Sequence, residues 1–197
     1  MPEASPGPLV SIDGLVAGYS GPVAGPVSFV VARGEVVGLS GRNGAGKSTV
    51  LRAITGAARV FSGTVRRAPG LRMTHHWQRL EQPPELPLLG REFLRLLDAD
   101  AGQAPERVVE LLERPVRDMS GGQFQFLQAW ACLAAPTDLT LLDEPTNNLD
   151  DDAIALLSQV LNALPADRAV VLVSHDHAFL HEHCHRVVDV SRANADE

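Results

Sequence analysis

Val36-Val37-Gly38-Leu39-Ser40-Gly41-Arg42-Asn43-Gly44-Ala45-Gly46-Lys47-Ser48 decides the fold. A short apolar strand runs straight into Gly41–Ser48, which fits G-x-x-x-x-G-K-[ST], and Lys47 to Ile54 then reads as a helix stopped by Gly56. Glycines at Gly41, Gly44 and Gly46 let the backbone turn tightly and aim N–H groups inward. The helix N-terminus adds the positive end of its dipole, so the loop is built to hold phosphate. Lys47 carries a full charge toward the β- and γ-phosphates of a bound nucleotide, and the Ser48 hydroxyl can ligate Mg²⁺. Of the 17 basic residues, 16 are arginine and Lys47 is the single lysine. Where arginine serves almost everywhere else, a compact ammonium stands at the phosphate loop.

Outward from this loop, the C-terminal half alternates strand and helix. Strands are expected at Leu139–Asp143, Val170–Val173 and Val187–Val190, and helices at Asp151–Leu164 and His177–His183. The pattern implies an α/β fold with a mostly parallel central sheet, that of a P-loop NTPase. Before the loop, Leu9–Gly14 and Val27–Val31 read as strands of an N-terminal antiparallel β subdomain, separated by a Gly/Pro turn region. Val65 and Leu71–Trp77 suggest two more strands. From about Gln82 to Asp118 the prolines Pro83, Pro84 and Pro87 break the chain, and Arg91–Leu97 and Glu106–Leu112 show helical spacing. This stretch, with the helix running to about Ala134, is expected to form a small helical lobe over about 82–135 in a single domain of residues 1–197.

The 197 residues carry a net charge of −7 and 45% hydrophobic residues. A nucleic-acid partner is unfavoured by the acidic balance. Cys132 and Cys184 form no disulfide framework, which points to a reducing compartment. No signal peptide is read at the N-terminus. The two long uncharged runs, Gly14–Ala32 and Met119–Thr137, are interrupted by prolines or by glutamines and a glycine pair, so neither is expected to span a membrane.

Two further stretches carry chemistry. Leu139-Thr140-Leu141-Leu142-Asp143-Glu144 is an apolar strand ending in two carboxylates, at the strand end where parallel sheets bind ligands. Asp143 would hold Mg²⁺, and Glu144 would orient or deprotonate the water that attacks the γ-phosphate. Ser120-Gly121-Gly122-Gln123 opens another helix and offers a second anion-facing start. One ATP leaves that second start unexplained.

These stretches together resemble the nucleotide-binding subunit of ATP-binding cassette (ABC) proteins. Gly41–Ser48 resembles the family's Walker A motif, Leu139–Glu144 its Walker B, and Ser120–Gln123 its signature. Thr146-Asn147-Asn148-Leu149-Asp150 resembles the D-loop and Ser174-His175-Asp176 the switch histidine. Tyr19 stands where the family stacks an aromatic on adenine, and Gln78 where it has the Q-loop glutamine. The resemblance implies ATP and Mg²⁺ as ligands. Gly41, Arg42, Asn43, Gly44, Ala45, Gly46, Lys47, Ser48 and Thr49 with Tyr19 would hold ATP, and Ser48, Gln78 and Asp143 would serve Mg²⁺. Glu144 and His175 would be catalytic. Two copies, or a pseudo-dimer, would meet head to tail, with the signature residues Ser120, Gly121, Gly122 and Gln123 of one acting on the other's ATP and Asp150 as the D-loop residue. It further implies an ATPase on the inner face of a membrane, driving a permease docked on the helical lobe near Leu88, Leu89 and Phe93. Asn147–Asp150, Leu86–Leu88 followed by Phe93–Leu96, and Gly121–Gln125 are similar to zinc/manganese-type importers. A ribosome-associated ABC protein and a non-hydrolysing ATP-binding regulator are the alternatives.

Departures from the family are Phe126 and Ala131, where it has arginines. Phe124, Phe126 and Trp130 are read as core. Five of the seven histidines lie between His175 and His185. On a helix His177, His181 and His185 would share a face, either as a metal-sensing surface or as an ordinary polar one.

Overall fold

The computed structural model describes residues 7–77 and 88–190. Its centre is a five-stranded parallel sheet of order β5-β6-β7-β3-β8. The strands are β3 (Val36–Ser40), β5 (Met73–His76), β6 (Leu139–Asp143), β7 (Ala169–Val173) and β8 (Arg186–Asp189). Every residue of β3, β6 and β7 is buried. Helices cover both faces of this sheet, so these strands read as continuous apolar runs rather than alternating ones.

A second, antiparallel sheet of order β2-β1-β4 is built from β1 (Val10–Gly18), β2 (Pro22–Val31) and β4 (Arg59–Arg67). The strands β1 and β2 run through the stretch expected to be a Gly/Pro turn. The actual turn is only Tyr19–Gly21, closed by Tyr19 N–H donating to Gly21 O at 3.1 Å. Pro22 and Pro26 fit because β2 is an edge strand, where a missing N–H need not break a ladder. Register shifts in β1 between Ile12 and Leu15 and between Leu15 and Ala17 absorb the glycine irregularity as bulges. Along β2 the alternation is clean in its second half, with Val27, Phe29 and Val31 inward and Ser28 and Val30 outward.

Helix α1 (Lys47–Thr55) packs against β1, β2 and β4 on one side and β6 and β7 on the other. It thereby welds the two sheets, and Val50, Leu51, Ala53 and Ile54 are fully enclosed in the joint core. The other face of the parallel sheet carries α4 (Gly121–Ala134), α5 (Asp151–Asn162) and α6 (His177–His183). Small helices α2 (Gly90–Leu96) and α3 (Glu106–Leu112) extend from that side, and Phe93 meets Phe124 of α4 edge to face at 5.5 Å. Phe124, Phe126 and Trp130 are buried, as read from the sequence.

Three histidines were expected to align on one helix, and two do. Helix α6 ends at His183, and Cys184 is already extended. His185 lies beyond it, where its Nδ1 accepts a hydrogen bond from Val36 N–H at 3.0 Å. Among the described residues no group of three His, Cys, Asp or Glu is arranged to hold a metal. Nor is any described helix long and apolar enough to cross a membrane.

Candidate functional site: a phosphate loop and two strand-end carboxylates

The chemistry gathers at the C-terminal edge of the parallel sheet, where strands β3, β5, β6 and β7 deliver their loops. Between β3 and α1 the loop turns through glycines with positive φ at Gly41, Gly44 and Gly46. Gly46 is also sterically required. A Cβ there would lie 2.4 Å from the Ala24 Cβ and 2.9 Å from the Val23 carbonyl oxygen. The antiparallel sheet thus presses directly on the foot of the loop. Lys47 is buried, and its Nζ donates to Gly41 O at 2.9 Å and to Arg42 O at 3.4 Å. The ammonium is held inside the ring of the loop.

Ser48 lies on the first turn of α1, and its Oγ donates to Asp143 Oδ1 at 2.9 Å. Asp143 closes β6, one strand removed from β3, and is almost fully buried. Burial pushes its carboxyl above the usual carboxylate range and neighbouring Glu144 adds to the rise, while Ser48, Arg52 and Lys47 oppose it. Its second oxygen, Oδ2, is buried and has no hydrogen-bond partner among the described residues. A buried carboxylate oxygen without a donor, beside a hydroxyl, is a donor set that fits a hard divalent cation.

Glu144 follows immediately with φ of 50°, a left-handed backbone that turns its side chain away from the strand direction. Its N–H donates to Val173 O at 2.9 Å, and Gln125 Nε2 of α4 donates to its carbonyl at 2.9 Å. Its Oε2 accepts from His175 N–H at 3.2 Å and lies 2.9 Å from His175 Nδ1. The buried carboxylate is thus fixed from the exposed His175 at the end of β7. Both residues, with Asn43, Gly44, Gly46, Lys47, Ser48 and Thr49, line one cleft of about 540 Å³. Asn147 of the D-loop stretch and Val23, which sequence reasoning missed, complete the wall.

Ser120 caps α4 by accepting from Gln123 N–H at 3.2 Å, while Gln123 Oε1 accepts from Ser120 N–H at 3.0 Å. A Cβ on Gly122 would sit 2.4 Å from the Asn148 carbonyl oxygen, so this helix start is packed onto the loop before α5. Asp150 ends that loop, accepts from Ala153 N–H at 2.8 Å and pairs with Arg107 of α3. These residues line a different cleft of about 500 Å³. It shares no lining residue with the first.

Tyr19 is half exposed and its hydroxyl accepts from Arg52 of α1. It does not line the 540 Å³ cleft. Gln78 lies outside the described residues. So do Leu86 and Pro87. Leu88 and Phe93 pack on the inner cluster, whereas Leu96 is 71% exposed, which makes it the open apolar residue of α2.

This combination of a parallel sheet, a lysine-bearing phosphate loop and a strand-end acid pair defines a P-loop nucleoside-triphosphatase. The comparisons then give the family. The ABC transporter family matches residues 24–147. The zinc import ATP-binding protein ZnuC of Paracoccus denitrificans is 38% identical over 179 residues, covering 86% of this chain and 70% of that protein. The protein of the same name from Ruegeria pomeroyi is 41% identical over the same shares. A solved ATP-binding subunit of an ABC transporter superposes with a TM-score of 0.76 at 28% identity, covering 92% of this chain and 85% of that one. An archaeal ribosome recycling factor, solved with a ribosomal stalk protein, gives 0.80 at 23% identity over 38% of its length, a likeness of fold alone. The chain belongs to the ABC transporter family, as its ATP-binding and ATP-hydrolysing subunit.

Proposed function

We propose that two copies of this chain close head to tail on two ATP molecules and drive a membrane permease that imports zinc. The observation that carries the dimer is the pair of separate clefts, each with an anion-facing helix start. One holds Lys47 and Glu144. The other presents Ser120 and Gly122 with no lysine and no acid pair, and makes sense as the cover for another copy's γ-phosphate. Support for zinc is the likeness to two zinc import proteins over most of both chains. No observation favours a ribosomal role, since the recycling-factor likeness extends to the fold alone.

In this reading the chain is one ABC domain with its helical lobe at about 82–135, working at the cytoplasmic face of the membrane. Lys47 and the loop amides of Gly41–Thr49 hold the phosphates, and Tyr19 faces the base. Ser48 and Asp143, with Gln78, would hold Mg²⁺, which would supply positive charge against the phosphates. Glu144, fixed through Oε2, orients the water for in-line attack and takes its proton, and His175 keeps that carboxylate in place. Asp150 sets the loop that carries Asn148 against Gly122.

Steady-state hydrolysis against protein concentration tests the dimer. The rate per chain should rise with concentration, and Ser120→Arg should abolish turnover while ATP still binds. Mixing Lys47→Ala and Ser120→Arg chains should recover part of the activity through one intact composite site. A concentration-independent rate, or an active Ser120→Arg chain, refutes the head-to-tail reading. For the cargo, cells lacking the chain should lose high-affinity uptake of radiolabelled zinc, and unchanged zinc uptake refutes it.

A further inference from the structure

Arg52 lies one turn after Ser48 on α1, so the two share a helix face. Its neighbours are unusual for a surface arginine. Among the described residues it makes no ion pair. Instead its Nη1 donates to the Tyr19 hydroxyl at 2.5 Å, and its guanidinium carbon lies 5.8 Å from the Tyr19 ring centroid and 5.4 Å from that of Trp77. Trp77 stacks in turn on His75, with centroids 3.8 Å apart and planes 30° from parallel. Burial, with the charges of His76 and Arg52, depresses His75 to about 4, so its ring is neutral at pH 7 and tolerates the nearby cation. The result is a chain of contacts, Tyr19–Arg52–Trp77–His75, drawn from the first turn of the antiparallel sheet, the phosphate-loop helix and the end of β5.

Tyr19 sits in the three-residue turn between β1 and β2 and is 46% exposed. An exposed ring on a short turn would otherwise sample several rotamers. The guanidinium fixes it through its hydroxyl. Trp77 directly precedes Gln78 in sequence.

We propose that Arg52 is a positioning residue for the base end of the nucleotide, fixing the Tyr19 ring and tying it to Trp77. Base binding is thereby felt at the start of the segment that carries Gln78. The proposal rests on the reading of Tyr19 as the base-facing aromatic. A guanidinium is required rather than any cation, because a planar fork can hydrogen-bond the Tyr19 hydroxyl while lying beside the Trp77 ring.

The test compares ATP with inorganic tripolyphosphate, which keeps the phosphates and lacks the base, by calorimetry on the full chain. Arg52→Ala should weaken ATP about fivefold, the order a single exposed cation–π contact supplies, and leave tripolyphosphate unchanged. Arg52→Lys should recover only part of the loss. ATP should also change Trp77 fluorescence in the parent protein, and saturating ATP should fail to do so in Arg52→Ala. Parallel weakening of both ligands, no weakening of either, or a full fluorescence response in Arg52→Ala overturns the proposal. Tyr19→Ala separates the two levels of reading. If it leaves ATP affinity intact, the base-facing role of Tyr19 fails and the proposal with it. If it weakens ATP while Arg52→Ala does not, the proposal alone fails.

Discussion

Gly122→Ala adds one methyl group where the structure has no room for it. The new carbon would stand 2.4 Å from the Asn148 carbonyl oxygen, whereas ordinary contact begins at 3.4 Å. One of the two backbones must therefore retreat by about 1 Å. Neither is free to do so cheaply. The helix start is locked by the reciprocal Ser120–Gln123 bonds. The facing loop is held by Asn147 N–H on Glu144 O, by Leu149 N–H on Thr146 O and by the Asp150 cap on Ala153. Alanine is the better helix former by about 0.8–1 kcal/mol in a helix interior, and less in a first turn, so it partly offsets the clash in stability. The melting temperature should consequently fall, by less than the clash alone would cost. Geometry is another matter. Displacing catalytic elements by about 1 Å costs on the order of 10²-fold in rate. Phosphate release at saturating ATP should fall by about that factor, while calorimetric ATP affinity stays within about twofold, because Lys47 and its loop are untouched. Turnover within about threefold of the parent would refute the claim that the Gly122–Asn148 contact sets the catalytic spacing.

Glu144→Gln should preserve ATP binding and slow phosphate release by about 10²–10⁴-fold, with an ATP-bound dimer accumulating on gel filtration; parent-like turnover would remove Glu144 from water activation. Asp143→Asn should raise the melting temperature of the nucleotide-free chain, because the ionised carboxyl is held there against its burial. The same variant should lose any extra thermal stabilisation that Mg²⁺ adds to ATP, and retention of that increment would exclude Asp143 as a metal ligand. Burial pushes both His75 and His76 down to about 4 in the folded chain, against 6.5 in the unfolded one. Between those values the unfolded state binds more protons, so stability is in full above pH 6.5 and falls as pH drops toward 4. For the almost fully buried His76 the effect is of order 3 kcal/mol, and His76→Phe should flatten part of that slope in denaturant titrations at pH 4.5–6.5.

The parallel sheet was legible because its strands are apolar on both faces. Val36–Leu39, Leu139–Leu142 and Val170–Val173 advertise burial with no reference to anything distant. The phosphate loop was equally legible, since its glycines, lysine and serine are contiguous. The antiparallel sheet was read too short. Gly14, Pro22 and Pro26 are turn signals by local rules, yet an edge strand with bulges accommodates all three. The partner of His185, which lies past the helix ending at His183, was not legible, because nothing local reveals that Val36, 149 residues away, donates its N–H to the His185 Nδ1. The roles missed altogether act across such distances. Gln125 holds the Glu144 carbonyl from 19 residues away and Arg107 reaches Asp150 from 43 residues away. One signal existed for Gln125. Three glutamines interrupt the apolar helix α4, and a buried amide there requires a partner.

The site's residues are individually unfavourable, and the surrounding contacts show how each is sustained. Asp143 is buried against its ionisation preference, and Glu144 takes a left-handed backbone that costs a non-glycine residue on the order of 1 kcal/mol. Lys47 is buried with carbonyls rather than a carboxylate as its nearest partners. None of these would persist on a mobile loop. Asp143 ends a strand paired on both sides, Glu144 is pinned by Val173, Gln125 and His175, and Lys47 opens a helix clamped between two sheets. Opposite charges are therefore kept close together, with Ser48 bridging toward Asp143 rather than Lys47 pairing with it. A collapsed Lys47–Asp143 ion pair would be easier to bury, but it would cancel the very charges that a triphosphate and its cation need. The rigid frame of β3, β6 and α1 holds lysine on the loop carbonyls and aspartate on the serine hydroxyl. The ammonium remains available to phosphate and the carboxylate to metal.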